Sequence, residues 1–357
     1  MGHKYKAVQW NGNKISYDLY VVAAIIIFIG VFIAIGSRPH PSGHTPDIMV
    51  LLIRALGFCA FTMITIILSI GPLARLSARF RPALYNRRHL GVITFFVAAS
   101  HFALALLWYH GGGGLNPFVS IFVSNPLYDS IPGFPFEILG LGAFFILLIM
   151  ASTSHDFWLN NLSAPVWKAM HMLVYLAYVL LVFHIILGAL MTEKSIIYPI
   201  GTAILFGAVS LLHLSTGLKE WRKDNGMKSL KKATWVDVCA PLDIENMRAV
   251  IAPLPTGDRV AVFRYGNKIS AVTNACRHQN GPLGEGRIID GSITCPWHGW
   301  QYNPDTGRSP APFSEKIETY NVKIENNRVM LDPKPNPAGT RSTPAIISDI
   351  EDSNQNG

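Results

Sequence analysis

The chain has 357 residues, half of them hydrophobic and only 15% charged, where a typical soluble domain carries roughly 25%; this excludes a single water-soluble globular enzyme and a wholly disordered chain. The net charge of +8 is no nucleic-acid signature, because residues 1–232 hold 18 Lys and Arg against 8 Asp and Glu while residues 233–333 hold 10 against 11. The excess lies between hydrophobic runs, where membrane topology accounts for it without a nucleic-acid partner.

After a polar N-terminus at 1–18, six apolar runs fall at about 19–36, 48–70, 90–108, 137–152, 167–190 and 196–214. Runs of about 20 apolar residues match the hydrocarbon core, so residues 19–215 are predicted to form an all-α six-helix bundle in membrane lipid. No small-residue cleavage site follows the first run, which argues against a signal peptide. An even number of spans puts both ends on one side. Fifteen Lys and Arg lie in the segments on the N-terminal side, and only Arg38 and Lys194 on the other. The charge rule therefore places the N-terminus and everything after 215 in the cytoplasm. Arg54, inside the second span, reads as a snorkelling side chain or as a heme-propionate partner. The loop at 109–136 is Gly/Pro-rich and free of Lys and Arg; it reads equally as a cap over a site and as a connector.

Histidine in a lipid-embedded helix is costly and is a functional hypothesis by default. The third span carries His89 at its inner end and His101 twelve residues on; the fifth carries His171 and, thirteen residues on, His184. At 1.5 Å per residue each pair is separated by about 18–20 Å. Two helices thus present histidines at two matching depths, as stacking one or two bis-imidazole b hemes across a bilayer requires. His101 with His184 forms the outer pair and His171 with His89 the inner one. His213 is a second inner candidate, and His110 lies at a span end.

Residues 216–232 read as a basic linker against anionic headgroups. From 233 to 333, short alternating runs with turn signals predict a small all-β domain, and the polar 334–357 tail is expected to be disordered. Four cysteines are too few and too scattered for a disulfide framework. Two of them fall in the sharpest motif of the chain, Cys276-Arg277-His278, sixteen residues, then Cys295-Pro296-Trp297-His298. Such a set can hold zinc, but one thiolate and one imidazole per loop suits a [2Fe–2S] cluster with Cys on one iron and His on the other.

That stretch, with Gly299, Tyr302 and Asp305-Thr306-Gly307, resembles the Rieske family over about 233–333. The resemblance implies that Cys276 and Cys295 bind one iron and His278 and His298 the other. It is similar to the ferredoxin and oxygenase type. Gly281 and Trp297 stand where quinol-oxidising members carry disulfide-forming cysteines, and Trp300 replaces a serine that donates to a cluster sulfur. Fewer hydrogen bonds to sulfur imply a potential in the lower part of the Rieske range. Too few residues follow for the mononuclear iron domain of a ring-hydroxylating oxygenase.

The stretches Gly71-Pro72-Leu73-Ala74-Arg75-Leu76, Arg87-Arg88-His89-Leu90-Gly91 and Trp167 to Tyr175, leading to His101 and His184, resemble the ferric reductase-like transmembrane family over about 48–190. The likeness is greatest to the heme-binding membrane subunit of the bacterial methionine sulfoxide reductase system, which implies a prokaryotic inner membrane. In eukaryotic members a histidine stands fourteen residues before the second ligand of the third helix. Here that position is Arg87. No Gly-rich strand–turn–helix for a dinucleotide is present, so direct NAD(P)H oxidation is not expected. The two resemblances imply an electron conduit between a cytoplasmic cluster and membrane heme, running from the cytoplasm to a periplasmic redox partner or quinone. The alternatives are a quinol-fed module that reduces a cytoplasmic oxidoreductase, and a non-catalytic anchor subunit of a larger complex.

Overall fold

The computed structural model describes residues 12–38, 47–131, 133–154, 162, 164–188, 197–228, 234–297, 299–311 and 313–347. They fall into two compact units. One joins Trp10–Pro72 to Asn86–His213; the other joins Leu73–Tyr85 to the chain from Leu214 onward.

The first unit is helical. Its elements are α1 (Gly12–Gly36), α2 (Ile48–Leu76), α3 (Arg87–His110), α4 (Pro117–Val123), α5 (Glu137–Ser152), α6 (Ala164–Met172), α7 (Val174–Leu187) and the first half of α8 (Ile197–Lys228). Five apolar helical stretches are long enough to cross a membrane, with α6 and α7 counting as one, and α5 is a shorter apolar helix of 16 residues. Each of the six predicted runs is thus helical over most of its described residues. The chain is a multi-pass membrane protein. Large apolar side chains such as Ile26, Phe96 and Leu211 face outward, which lipid permits and water would penalise.

The centre of this unit is α2. Phe61, Ile64 and Leu68 from one of its faces pack against Leu147, Val174, Tyr178, Val182 and Val209. Phe61 stacks on Tyr178 at 5.3 Å, and the Tyr178 hydroxyl shares a hydrogen bond with Thr65 Oγ1 at 3.1 Å. Between α3 and α5, α4 is capped by Asn116, whose side chain accepts from the Phe118 N–H.

The second unit is built on two antiparallel sheets. The larger runs β1 (Val236–Cys239), β9 (Arg328–Pro335), β8 (Thr319–Glu325), β4 (Lys268–Thr273), β3 (Arg259–Tyr265), β2 (Ala249–Pro253), with β10 (Ala345–Ile346) also on β4. The smaller is β5 (Arg287–Ile289), β6 (Ser292–Thr294), β7 (Gln301–Tyr302). Side chains alternate across a strand, and β3 uses both faces. Val260 and Val262 join a core with Ile269, Val329 and Leu331. Ala261 and Phe263 join a second core with Cys276, Cys295, Trp300 and Tyr302. The motif loops thus rest on a hydrophobic floor supplied by the large sheet.

Two expectations are corrected. The stretch read as a linker is helical through Lys228 as the end of α8, where Glu220 and Asp224 both pair with Arg259 of β3. The tail expected to be disordered is folded as far as Ile347, because β10 pairs Ala345 with Ile269 and the Ser342 hydroxyl donates to the Tyr320 carbonyl.

Candidate metal centres

In the β unit, β4 and β6 lead into the two motif loops. Cys276 N–H donates to Gly281 O at 2.9 Å, and Cys295 N–H donates to Trp300 O at 2.8 Å, closing each loop on itself. The turns require left-handed backbone at Asn280 (φ 62°) and Gly299 (φ 73°), conformations that Asn and Gly accept most readily. Cys276 and Cys295 are buried, 2% and 1% exposed, and both belong to one packed core.

The Tyr302 hydroxyl lies 3.4 Å from Cys276 Sγ and accepts from the Arg277 N–H at 3.0 Å. Burial alone would raise the Cys276 thiol. Hydrogen bonds from Cys295, Tyr302 and the backbone of His278 and Gln279 outweigh it and hold the thiol below its ordinary value. A metal needs that thiolate. Burial and then the negative charge at Cys276 push the Tyr302 phenol up, so it stays protonated as a donor.

The structure brings the two thiols together but does not gather His278 with them. Its ring stacks on Trp300 at 4.2 Å, 7° from parallel, and Trp300 in turn donates to Ser309 Oγ. His298 lies outside the described residues, among which no group of three or more metal-ligating side chains forms. Two observations fit an inorganic occupant. Gln279, 1% exposed, keeps both amide atoms buried without a hydrogen-bond partner among the described residues. A Cβ on Gly281 would lie 2.8 Å from Cys295 Sγ and 3.1 Å from Trp297. Position 281 therefore has no room for a side chain.

In the helical unit, His101 of α3 and His184 of α7 face each other with ring centres 6.4 Å apart. A metal–imidazole bond of about 2 Å, plus the reach of each ring, puts two imidazoles that ligate one metal from opposite faces roughly 6 Å apart. His101 Nδ1 meets the Ile53 carbonyl at 2.8 Å and His184 Nδ1 the Phe136 carbonyl at 2.9 Å, each 48 residues distant. Carbonyl partners fix Nδ1 as the donor and leave Nε2 for a metal, the usual outer-shell device.

The same local trick serves both. One helical turn after each carbonyl stands a glycine, Gly57 after Ile53 and Gly140 after Phe136. A Cβ there would strike His101 Cε1 at 2.9 Å and His184 Cε1 at 2.7 Å. The missing side chains let each imidazole reach the carbonyl. Between them is a cavity of about 460 Å³ whose lining includes Phe61, Phe102, Phe144 and Arg54. Its size and apolar wall are those of a cofactor pocket.

The inner candidates stand apart from this cavity. His171 Nδ1 contacts Trp167 O at 3.0 Å, its ring stacks on Trp167 at 3.7 Å, and its Nε2 is buried without a hydrogen-bond partner among the described residues. His89 Nδ1 pairs with Asp18 at 3.2 Å. His213 Nε2 contacts Leu68 O. His110, by contrast, is at the cavity wall, where its Nδ1 contacts Ser120 Oγ. The sequence reasoning missed Gly57, Gly140, Gln279 and Asp18. Isolated glycines inside apolar helices were the available signal for the first two.

A family model of the Rieske [2Fe-2S] domain matches residues 234–321, and one of the ferric reductase like transmembrane component matches residues 56–182. The ferredoxin component of the naphthalene 1,2-dioxygenase system of Pseudomonas putida is 33% identical over 28% of this chain and 94% of its own length. Magnetosome protein MamZ of Magnetospirillum gryphiswaldense is 28% identical over 50% of this chain, but that match takes in only 25% of MamZ. Among solved structures, the ferredoxin of carbazole 1,9a-dioxygenase from Nocardioides aromaticivorans IC177 is similar to 29% of the chain at 25% identity and a TM-score of 0.27. The Rieske match supports a [2Fe–2S] cluster, and ferric reductase-like domains bind heme. Through residues 234–321 the chain belongs to the Rieske [2Fe-2S] family, and its residues 56–182 match the ferric reductase like transmembrane component.

Proposed function

We propose that this protein conducts single electrons across a membrane, between a [2Fe–2S] site at Cys276, His278, Cys295 and His298 on the cytoplasmic side and b heme held by His101 and His184. The favoured direction is outward, to a periplasmic redox partner or a quinone. Cluster and heme would supply the one-electron carriers, while the chain supplies placement and tuning. His101 and His184 would present Nε2 from opposite helices, oriented by the Ile53 and Phe136 carbonyls. Phe102, Phe144 and Phe61 would exclude water from the cavity. Tyr302 would donate to the Cys276 sulfur and keep Arg277 in register. His171 and His89 are the proposed inner pair.

The paired, carbonyl-anchored imidazoles carry the reading, because nothing in simple helix packing calls for two histidines fixed this way across an apolar cavity. The test is reconstitution in sealed vesicles with a membrane-impermeant reductant added on one side. Reductant on the side of the β unit should bleach the cluster and then the heme band. Heme that stays oxidised while the cluster is fully reduced would refute the conduit and favour an anchor subunit.

A further inference from the structure

Helix α4 divides its residues between two sides. Ser120 and Ile121 are buried, whereas Phe118, Val119, Phe122 and Val123 are each about half exposed, and residues at that spacing share one face of a helix. The buried side meets the pocket. Ile121 and His110 stand in the wall of the cavity between His101 and His184, and His110 Nδ1 contacts Ser120 Oγ at 2.9 Å. Phe118 meets Phe102, another wall residue, with ring centres 6.2 Å apart. The segment thus closes the cavity on that side.

Two features say what covers the other face. The first is backbone pairing. The Asn116 side chain accepts from the Phe118 N–H at the start of α4, and the Tyr128 hydroxyl donates to the Phe122 carbonyl at 2.7 Å near its end. Beyond it, the Asn125 side chain accepts from the Leu127 N–H and donates to the Gly133 carbonyl. Water would satisfy these groups without such partners, but a segment seated against hydrocarbon must pair them itself. The second is continuity with the lipid-facing surface. Helix α3 ends in the exposed Leu107, Trp108 and Tyr109, and Trp and Tyr favour the membrane–water boundary. Helix α4 begins eight residues after Tyr109, in a loop whose only Asp, Glu, Lys or Arg between 109 and 136 is Asp129.

We propose that α4 lies in the membrane boundary, with Phe118, Val119, Phe122 and Val123 against lipid acyl chains, and forms a lipid-seated wall of the heme pocket. Heme retention then depends on lipid contact made by residues that face away from the heme. The wall role rests on the reading of His101 and His184 as heme ligands; the seating in lipid does not.

The experiment uses the full-length protein in lipid nanodiscs, both faces open to buffer, with photolabelling by a lipid-dissolved diazirine or a water-soluble one and peptide mapping by mass spectrometry. The lipid-dissolved probe should label 117–123 as it labels the lipid-facing Phe96 and Leu211, and the water-soluble probe should label the turn at Thr256 and spare 117–123. Labelling of 117–123 by the water-soluble probe alone would mark a surface for a soluble protein partner and overturn the proposal. Protection from both probes would mean a second copy of the chain covers it, and would equally overturn it. Phe122→Asp should lose the lipid label on 117–123 and release heme to a scavenging apoprotein several-fold faster, whereas Phe122→Leu should keep both at wild-type values. Unchanged heme release in Phe122→Asp after the lipid label is lost would refute the wall role. If Phe122→Asp does not assemble in the membrane, Val119→Asn decides by the same two readouts. Wild-type protein that binds no heme would refute the heme reading, and the labelling pattern would still decide the seating.

Discussion

At the scale of single residues, the proposed heme site between His101 and His184 makes the sharpest forecast. If His101 and His184 hold one heme iron as proposed, deleting either imidazole would leave that iron with one strong ligand, so His101→Ala and His184→Ala should each remove the same b heme. His171→Ala should spare that heme, since thirteen residues of helix separate His171 from His184 by about 20 Å. Heme quantification and redox titration of the three variants check this. Full heme content in His101→Ala would mean the pair is not a ligand set. On the cluster side, His298→Ala should abolish the rhombic signal and leave the heme spectrum intact; stoichiometric zinc without iron in the purified protein would count against the cluster. The motif residues were legible because their chemistry is carried by local spacing, two residues from Cys276 to His278 and three from Cys295 to His298. The Ile53 and Phe136 carbonyls were not, because each lies 48 residues from its imidazole and backbone acceptors leave no mark on side-chain identity. The ring of His278, turned onto Trp300, was equally beyond spacing arguments.

Among the elements, the glycines of α2 and α5 set the histidine geometry. Gly57→Ala would place a methyl 2.9 Å from the His101 ring, and Gly140→Ala one 2.7 Å from the His184 ring. Each should push the imidazole off its carbonyl and weaken heme binding by about 10–100-fold, the usual cost of disturbing an outer-shell partner. Heme titration of the apoprotein measures it, and an affinity within twofold of wild type would show that the carbonyl contact is dispensable. Helix existence was readable from hydropathy, because lipid tolerates only backbone that satisfies itself. Helix length was less so. Hydropathy ends near 214, yet α8 continues to Lys228 because Glu220 and Asp224 find Arg259 on β3, a partner fixed only by tertiary structure. Each ion pair is partly exposed, so Arg259→Ala should cost the β unit only about 1 kcal/mol, read as a small drop in its melting temperature. The folded part of the tail was missed for a similar reason. Its composition is polar, but β10 borrows an edge of β4, and a two-residue strand has no periodicity to read.

For the whole molecule the question is which way it faces, and the charge distribution argues for one answer. Basic residues cluster in the N-terminus, in the 75–88 segment and after residue 215, whereas the 109–136 loop has none. Anionic lipid and the insertion machinery retain such clusters on the cytoplasmic side. The segment rich in arginine, 73–85, also falls in the compact unit that contains the β sheets, so membrane-adjacent basic residues and the Rieske fold belong to one folded body. A cysteine placed in the 109–136 loop, for example Ser130→Cys in a Cys59→Ser, Cys239→Ser background, should be labelled by an impermeant maleimide added to intact cells. Thr256→Cys, in an exposed turn next to β2, should be labelled only after the cells are opened. The reverse pattern would move the cluster to the outer face, and the direction of electron flow proposed above would then have to be inverted, because the one-electron donor would be met outside the cell.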